Sequence, residues 1–162
     1  MRNSKVKGFT LVELIVVIAI IAILAAILVP SMLGYIRNSR ITQADANAKN
    51  IHTAATAAVA QAYVDGNLGA PAATDTGVDV TNLSISVTLT GGTATTVSLA
   101  DELGGSLDGK ARVWYNPGTA AVTGAAWTAN ANSTIPANWP TAPIAKSANP
   151  IVGYFPAVDR ES

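Results

Sequence analysis

Between Leu14 and Ile36 the chain carries no charged residue. As a helix rising about 1.5 Å per residue, that run is about 35 Å long, enough to cross the hydrocarbon core of a bilayer with some tilt. Ile and Val dominate it, and neither is a strong helix former in water. A bilayer overrides that preference, because backbone N–H and C=O groups there must be satisfied within the segment. The run therefore predicts a membrane-spanning helix. Ahead of it, MRNSKVKG carries Arg2, Lys5 and Lys7 and no acid. Positive flanks stay on the cytoplasmic side, so the N-terminus is expected inside and the C-terminal part outside. One carboxylate, Glu13, sits near the start of the apolar stretch, and an ionisable group at the edge of a span points to function.

Two readings compete for this segment. A secretory signal peptide also has a basic n-region and an apolar h-region, with Ala25 and Ala26 as part of a small-residue cleavage site. The run is too long for that, Glu13 has no use there, and the helical pattern continues beyond it. The alternative rests on Lys7 through Pro30, KGFTLVELIVVIAIIAILAAILVP. This stretch resembles the N-terminal segment of type IV pilins and related pseudopilins. A short basic leader, the Gly8-Phe9 pair, Glu13 at the fifth position after that junction, and an apolar run closing at Pro30 together make a specific signature. The resemblance implies cleavage between Gly8 and Phe9 by a prepilin peptidase on the cytoplasmic side, and methylation of the new amine on Phe9. It also implies an inner-membrane assembly platform with its ATPase as indirect partners.

The residue chemistry suits that layout. Gly8 offers no side chain to obstruct a peptidase. Cleavage would expose an α-ammonium on Phe9, one helical turn from Glu13. A carboxylate buried alone in apolar surroundings costs several kcal/mol, roughly, and a neighbouring subunit's ammonium would offset it. In the resembling family this acid helps add subunits in register, so Phe9 and Glu13 are the expected assembly residues. The plainer alternative is that Glu13 snorkels to the membrane interface. Pro30 removes one helical hydrogen bond and is the expected kink, with Gly34 weakening the same region. In related filaments this region can lose helicity on packing.

After Arg37 and Arg40 the pattern changes. Ile41, Ala44, Ala48, Ile51, Ala55, Ala58 and Ala62 recur at alternating spacings of three and four, a helical stripe of small residues. The stripe predicts a continuation of the same helix to about Tyr63, covered by the C-terminal domain; a coiled-coil seam is the weaker alternative. Phe9 to Tyr63 would form one helix about 80 Å long, kinked at Pro30. Asp65-Gly66-Asn67-Leu68-Gly69 and Pro71 stop it. His52, the only histidine, falls one residue off the stripe and reads as a surface or rim residue.

The remainder reads as a small β domain. Residues 66–80 are expected to be a loop, with Asp75 and Asp79 better explained by turn chemistry than as calcium ligands. Leu83, Ile85, Val87 and Leu89 alternate with Ser84, Ser86 and Thr88, the best half-buried strand of the chain, ended by Gly91-Gly92. Ser98 to Asp101 suggests a capping box opening a short turn, with Thr95 to Leu99 as an alternative strand partner. Lys110 to Tyr115 and Thr119 to Trp127 form a hairpin across Asn116-Pro117-Gly118. From Asn130 onward prolines make the chain irregular. Trp139 is expected to pin this segment to the sheet, and Ile151 to Phe155 to add an edge strand ended by Pro156. The sequons at Asn82 and Asn132 are too common by chance to count.

The expected fold is α+β: a long N-terminal helix, half membrane-spanning and half amphipathic, packed on a small antiparallel sheet. The expected divisions are a leader over 1–8, a transmembrane or filament-core helix over 9–36, an amphipathic helix over 37–65 and a head over 66–162. Among 162 residues, 49% are hydrophobic and only 12% charged, which suits a subunit that packs against its own copies. Removing the three basic leader residues turns a neutral chain into one with 7 basic and 10 acidic residues, so no nucleic-acid contact is expected. With no cysteine, disulfides and thiolate chemistry are excluded, and many Gram-negative pilins close the C-terminal region with a disulfide. No nucleophile elbow, P-loop or HExxH is present, so catalytic, cofactor and metal residues are not expected, and Asp101, Glu102 and Asp108 read as solvated. Three functions follow: a type IV pilus subunit forming a homo-oligomeric helical filament at the cell surface, a pseudopilin of a secretion or DNA-uptake system, or a single-pass anchor that never polymerises. The composition of the head favours the first.

Overall fold

The computed structural model describes residues 8–64, 76–81, 83–87, 95–105, 107–116, 119 and 121–161. Residues 1–7 of the expected leader, the expected helix stop at Asp65–Pro71, Asp75, Asn82, the Thr88–Leu89 end of the expected strand, the Gly91-Gly92 pair and the expected turn at Pro117-Gly118 lie outside the described residues. Helix α1 runs Leu11–Val64 with Pro30 inside it. The chain divides into two compact units, Met1–Ser39 and Arg40–Ser162.

In the second unit, α1 packs on an antiparallel sheet in the order β1-β4-β5-β7, with β1 at Thr76–Val80, β4 at Lys110–Asn116, β5 at Ala121–Thr128 and β7 at Gly153–Phe155. The expected stripe is the face that packs. Ile41, Ala44, Ala48, Ile51 and Ala55 are buried, joined by Ala54 and Val59, while Ala58 and Ala62 pack at the margin. A coiled-coil seam is thereby excluded, since the sheet occupies the stripe. The small side chains let the sheet come close. A Cβ on Gly153 would fall 2.0 Å from the Ala44 carbonyl carbon and oxygen, so β7 can lie there only as glycine.

The register sorts the sheet into two faces. Paired positions Val78 with Val113, Val80 with Ala111, and Val113 with Ala125 share the helix-side core with Ile51, Ala55 and Tyr115. The opposite face carries Asp79 beside Arg112, Gly77 beside Trp114, Gly124 beside Trp114, and Ala126 beside Tyr154. This face is covered by the irregular chain after Asn130, through a second cluster of Trp114, Ala126, Ile135, Val152 and Tyr154 with Trp139 packed against it. Trp139 meets Trp114 and Tyr154 edge-on, at centroid distances of 5.1 and 5.8 Å. Its ring occupies the space a side chain at Gly124 would need. Trp139 does fasten the proline-rich segment, as expected.

Three expectations are corrected. The stretch read as a loop up to residue 80 contains strand β1, because Val78 and Val80 point into the core and Asp79 finds a partner across the strand. Asp79 is thus no turn residue: its Oδ1 accepts from Arg112 Nε at 2.8 Å. The alternating strand begins at Ser84, since Leu83 sits in the left-handed region at φ 58° within a tight turn that the backbones of Thr81 and Ser84 close by bonding to each other. Strand β2 (Ser84–Val87) then joins β3 (Thr95–Ser98) in a separate two-stranded sheet instead of the main one. Both readings of Ser98–Asp101 hold in part. Thr95–Ser98 is the strand, and after it Leu103 N–H reaches Leu99 O in a single turn. The hairpin β4–β5 falls where the sequence placed it, with β5 starting at Ala121, while the edge strand β7 is shorter than expected, starting at Gly153 rather than Ile151. Short strands β6 (Ile144–Ala145) and β8 (Arg160–Glu161) pair in parallel.

Candidate functional site

The expected site lies at the start of α1. Thr10 precedes the first helical residue, and its backbone N–H and its hydroxyl both donate to Glu13 Oε2, at 2.9 and 2.6 Å. In return Glu13 N–H donates to Thr10 Oγ1 at 3.2 Å. This reciprocal arrangement is a capping box, which satisfies donors that a helix N-terminus otherwise leaves without partners. The carboxylate also stands at the positive end of the helix dipole. Thr10-x-x-Glu13 carries the capping signature in plain sequence, three residues apart at the start of an apolar helical run.

Around this turn the surface is open. Phe9 is 79% exposed, and a Cβ on Gly8 would meet nothing within 4 Å. Packing within the chain therefore does not call for glycine at position 8. From Phe9 to Ile36 every large apolar side chain is exposed. A continuous apolar surface of this extent marks a segment that a membrane or other protein covers. The helix is also long and apolar enough to cross a bilayer. Pro30 leaves the Ala26 carbonyl without its usual helical donor, and Ser31 Oγ bonds to Leu28 O at 2.8 Å in the same turn. Gly34 has open space around it, so no close approach compensates for its low helix propensity.

The second unit holds its polar groups in pairs. Arg112 joins Asp79 and also donates to Pro136 O at 3.1 Å, tying β1, β4 and the covering segment together. Asp45 Oδ1 accepts from Arg160 Nη2 at 2.8 Å and from Tyr154 N–H at 3.0 Å. Neither pair was legible from sequence, since their members lie 33 and 115 positions apart. His52 is a half-buried rim residue, as expected. Its Nε2 lies 3.3 Å from Val122 O and its ring meets Phe155 edge-on at 4.9 Å. Burial holds the imidazole below its ordinary pKa, against the Val122 carbonyl, which favours the protonated ring. Asp101, Glu102 and Asp108 are exposed. Among the described residues no three His, Cys, Asp or Glu side chains come together as a metal set.

Comparison with known proteins places a family motif on the first turn and apolar run. Residues 3–29 match the family model described as the prokaryotic N-terminal methylation motif. The type IV wide pilus major component PilA4 of Thermus thermophilus is 68% identical over 34 residues, 21% of this chain and 24% of that protein. Fimbrial protein Q of Moraxella bovis is 46% identical over 88 residues, 54% of this chain and 52% of that one. The type IV major pilin protein PilA of Myxococcus xanthus is 44% identical over 52 residues, 32% of this chain and 24% of that one. The matches thus span from about a quarter to about half of these relatives' lengths. No solved structure matches the chain. The chain thus carries the prokaryotic N-terminal methylation motif and is similar, over part of its length, to type IV pilins and fimbrial proteins.

Proposed function

We propose that the chain is the structural subunit of a type IV pilus. It is inserted in the membrane with its N-terminus cytoplasmic, cut between Gly8 and Phe9 by a prepilin peptidase, methylated on Phe9, and polymerised through α1 into a surface filament. The observation that carries this reading is the exposed apolar surface from Phe9 to Ile36 with a single carboxylate, Glu13, held in its first turn. Such a helix suits two solvents: lipid before assembly and other copies of itself afterwards. The capping box keeps Glu13 in a defined place rather than on a freely moving chain. In the filament core its charge is offset by the α-ammonium of a neighbouring Phe9, and removing one partner of a buried pair costs about 3–5 kcal/mol. Pro30 and Gly34 make the weak point where the helix yields as subunits pack. That the relatives are named as major pilins and fimbrial proteins supports the pilus over a secretion pseudopilin. Assembly platform and ATPase act on it from the membrane side.

Mass spectrometry of the mature N-terminus tests the first half: methylated Phe9 is the expected first residue, and an intact leader would sink the filament reading. Electron microscopy of cells expressing and lacking the chain tests the second half. Long surface fibres should appear only with it.

A further inference from the structure

The chain has no cysteine, yet its C-terminal segment is closed onto the helix. Residues 144–161 form a strap whose ends pair with each other. Ile144 N–H donates to Asp159 O and Lys146 N–H to Glu161 O, both at 2.9 Å, within the parallel β6–β8 pair. Its middle, β7, is only three residues long and lies at the edge of the sheet on β5. Its apolar side chains Val152 and Tyr154 belong to the second cluster, apart from the core between helix and sheet.

One side chain of the helix meets this strap at two separate points. Asp45 Oδ1 takes the backbone N–H of Tyr154 and the guanidinium of Arg160. Arg160 Nη2 in turn reaches back to Val152 O at 2.9 Å, so the strap is folded around the same acid. The Arg160 side chain is 13% exposed and that of Asp45 32%, so solvent screens the pair less than a surface bridge. Gly153 seats directly against the backbone of Ala44 and Asp45, which fixes where the acid can act. Beside the contact lies a cavity of about 270 Å³ lined by Ile41, Ile144, Ile151, Val152, Tyr154 and Arg160. The strap is not packed solidly there.

We propose that Asp45 is the catch of a reversible, noncovalent strap: residues 144–161 close on the helix through Asp45 and open as a unit while the remaining sheet stays folded. Local opening of this kind belongs to segments held by short edge pairing and a few polar contacts, outside the main core. The ionic and hydrogen-bonded contacts at Asp45 form one coupled set, so their losses should not simply multiply.

Hydrogen exchange followed by mass spectrometry on the full chain in detergent micelles tests this. Asp45→Ala should speed exchange across 150–161 by about tenfold or more, with β4 unchanged. Arg160→Ala should do so to a lesser extent, because the Tyr154 N–H contact survives. The double variant should exchange more slowly than the product of the two single effects, because the Asp45–Arg160 contact is lost only once. Asp45→Asn keeps an acceptor and lacks only the charge, so it serves if the alanine variant does not fold, and should show a smaller acceleration confined to the same segment. Unchanged exchange across 150–161 in both Asp45 variants overturns the proposal. So does an equal acceleration in β4, which would make the strap part of the global fold, and so does a double-variant effect equal to the product of the two singles.

Discussion

Thr10 and Glu13 exchange three hydrogen bonds at the first turn of α1, so one carboxylate serves both the helix end and, on the proposed function, the joining of subunits. Substitutions can separate these roles. Thr10→Ala removes the cap and should cost about 1 kcal/mol of local helix stability, seen as faster amide exchange over residues 11–15, while Thr10→Ser should leave it nearly unchanged. Glu13→Gln keeps the capping geometry, because an amide oxygen also accepts from Thr10, and removes the charge. It should be processed and inserted normally and still give few fibres. Normal fibre yield from Glu13→Gln would remove the charge from the assembly mechanism. His52 makes a prediction of a different kind. Its folded pKa lies below the unfolded value of about 6.5, so the unfolded chain binds the extra proton first as pH falls. The stability His52 contributes is therefore complete above about pH 6.5 and is lost as pH falls through the folded pKa. Thermal unfolding of His52→Gln should show a flatter pH dependence than the parent over that window.

At the scale of elements, the close seating of β7 on the helix and the weak point of α1 make opposite predictions. Gly153→Ala places a methyl within 2.0 Å of the Ala44 backbone, which no side-chain rotation relieves. Overpacking of this sort costs about 1–3 kcal/mol or more, and the melting temperature should fall. Gly34→Ala meets nothing within 4 Å and replaces a poor helix former by the best one, gaining up to about 1 kcal/mol locally. It should slow exchange around residues 30–38 in micelles. If flexibility there is used in packing, the same variant should lower fibre yield despite the better helix. The stripe Ile41, Ala44, Ala48, Ile51 and Ala55 was legible because a helix repeats every 3.6 residues and a packed face must stay apolar. Strand β1 was not, since five residues following a Gly- and Thr-rich stretch carry only two inward valines. Its pairing with β4 settles the matter through the Asp79–Arg112 contact on the other face.

At the scale of the whole molecule, the charge layout predicts an asymmetric life history. The three basic residues of the leader are expected to hold the N-terminus in the cytoplasm. Replacing Arg2, Lys5 and Lys7 together by Gln should lower the fraction of chains inserted in that orientation, read by protease access to the head in spheroplasts, before any effect on fibres. What the sequence by itself determined is the part that answers to short-range rules. The Leu14–Ile36 span follows from its length and lack of charge, the capped first turn from Thr10-x-x-Glu13, and the small-residue stripe from its period. Each depends on neighbours within one or two helical turns. Only the tertiary structure decided that Asp79 is a strand residue, that β2 and β3 form their own small sheet, and that Asp45 fastens a C-terminal strap without a disulfide. Those outcomes rest on contacts between residues tens of positions apart, such as Asp45 with Arg160, and chain folding brings them together where no local spacing or composition records it.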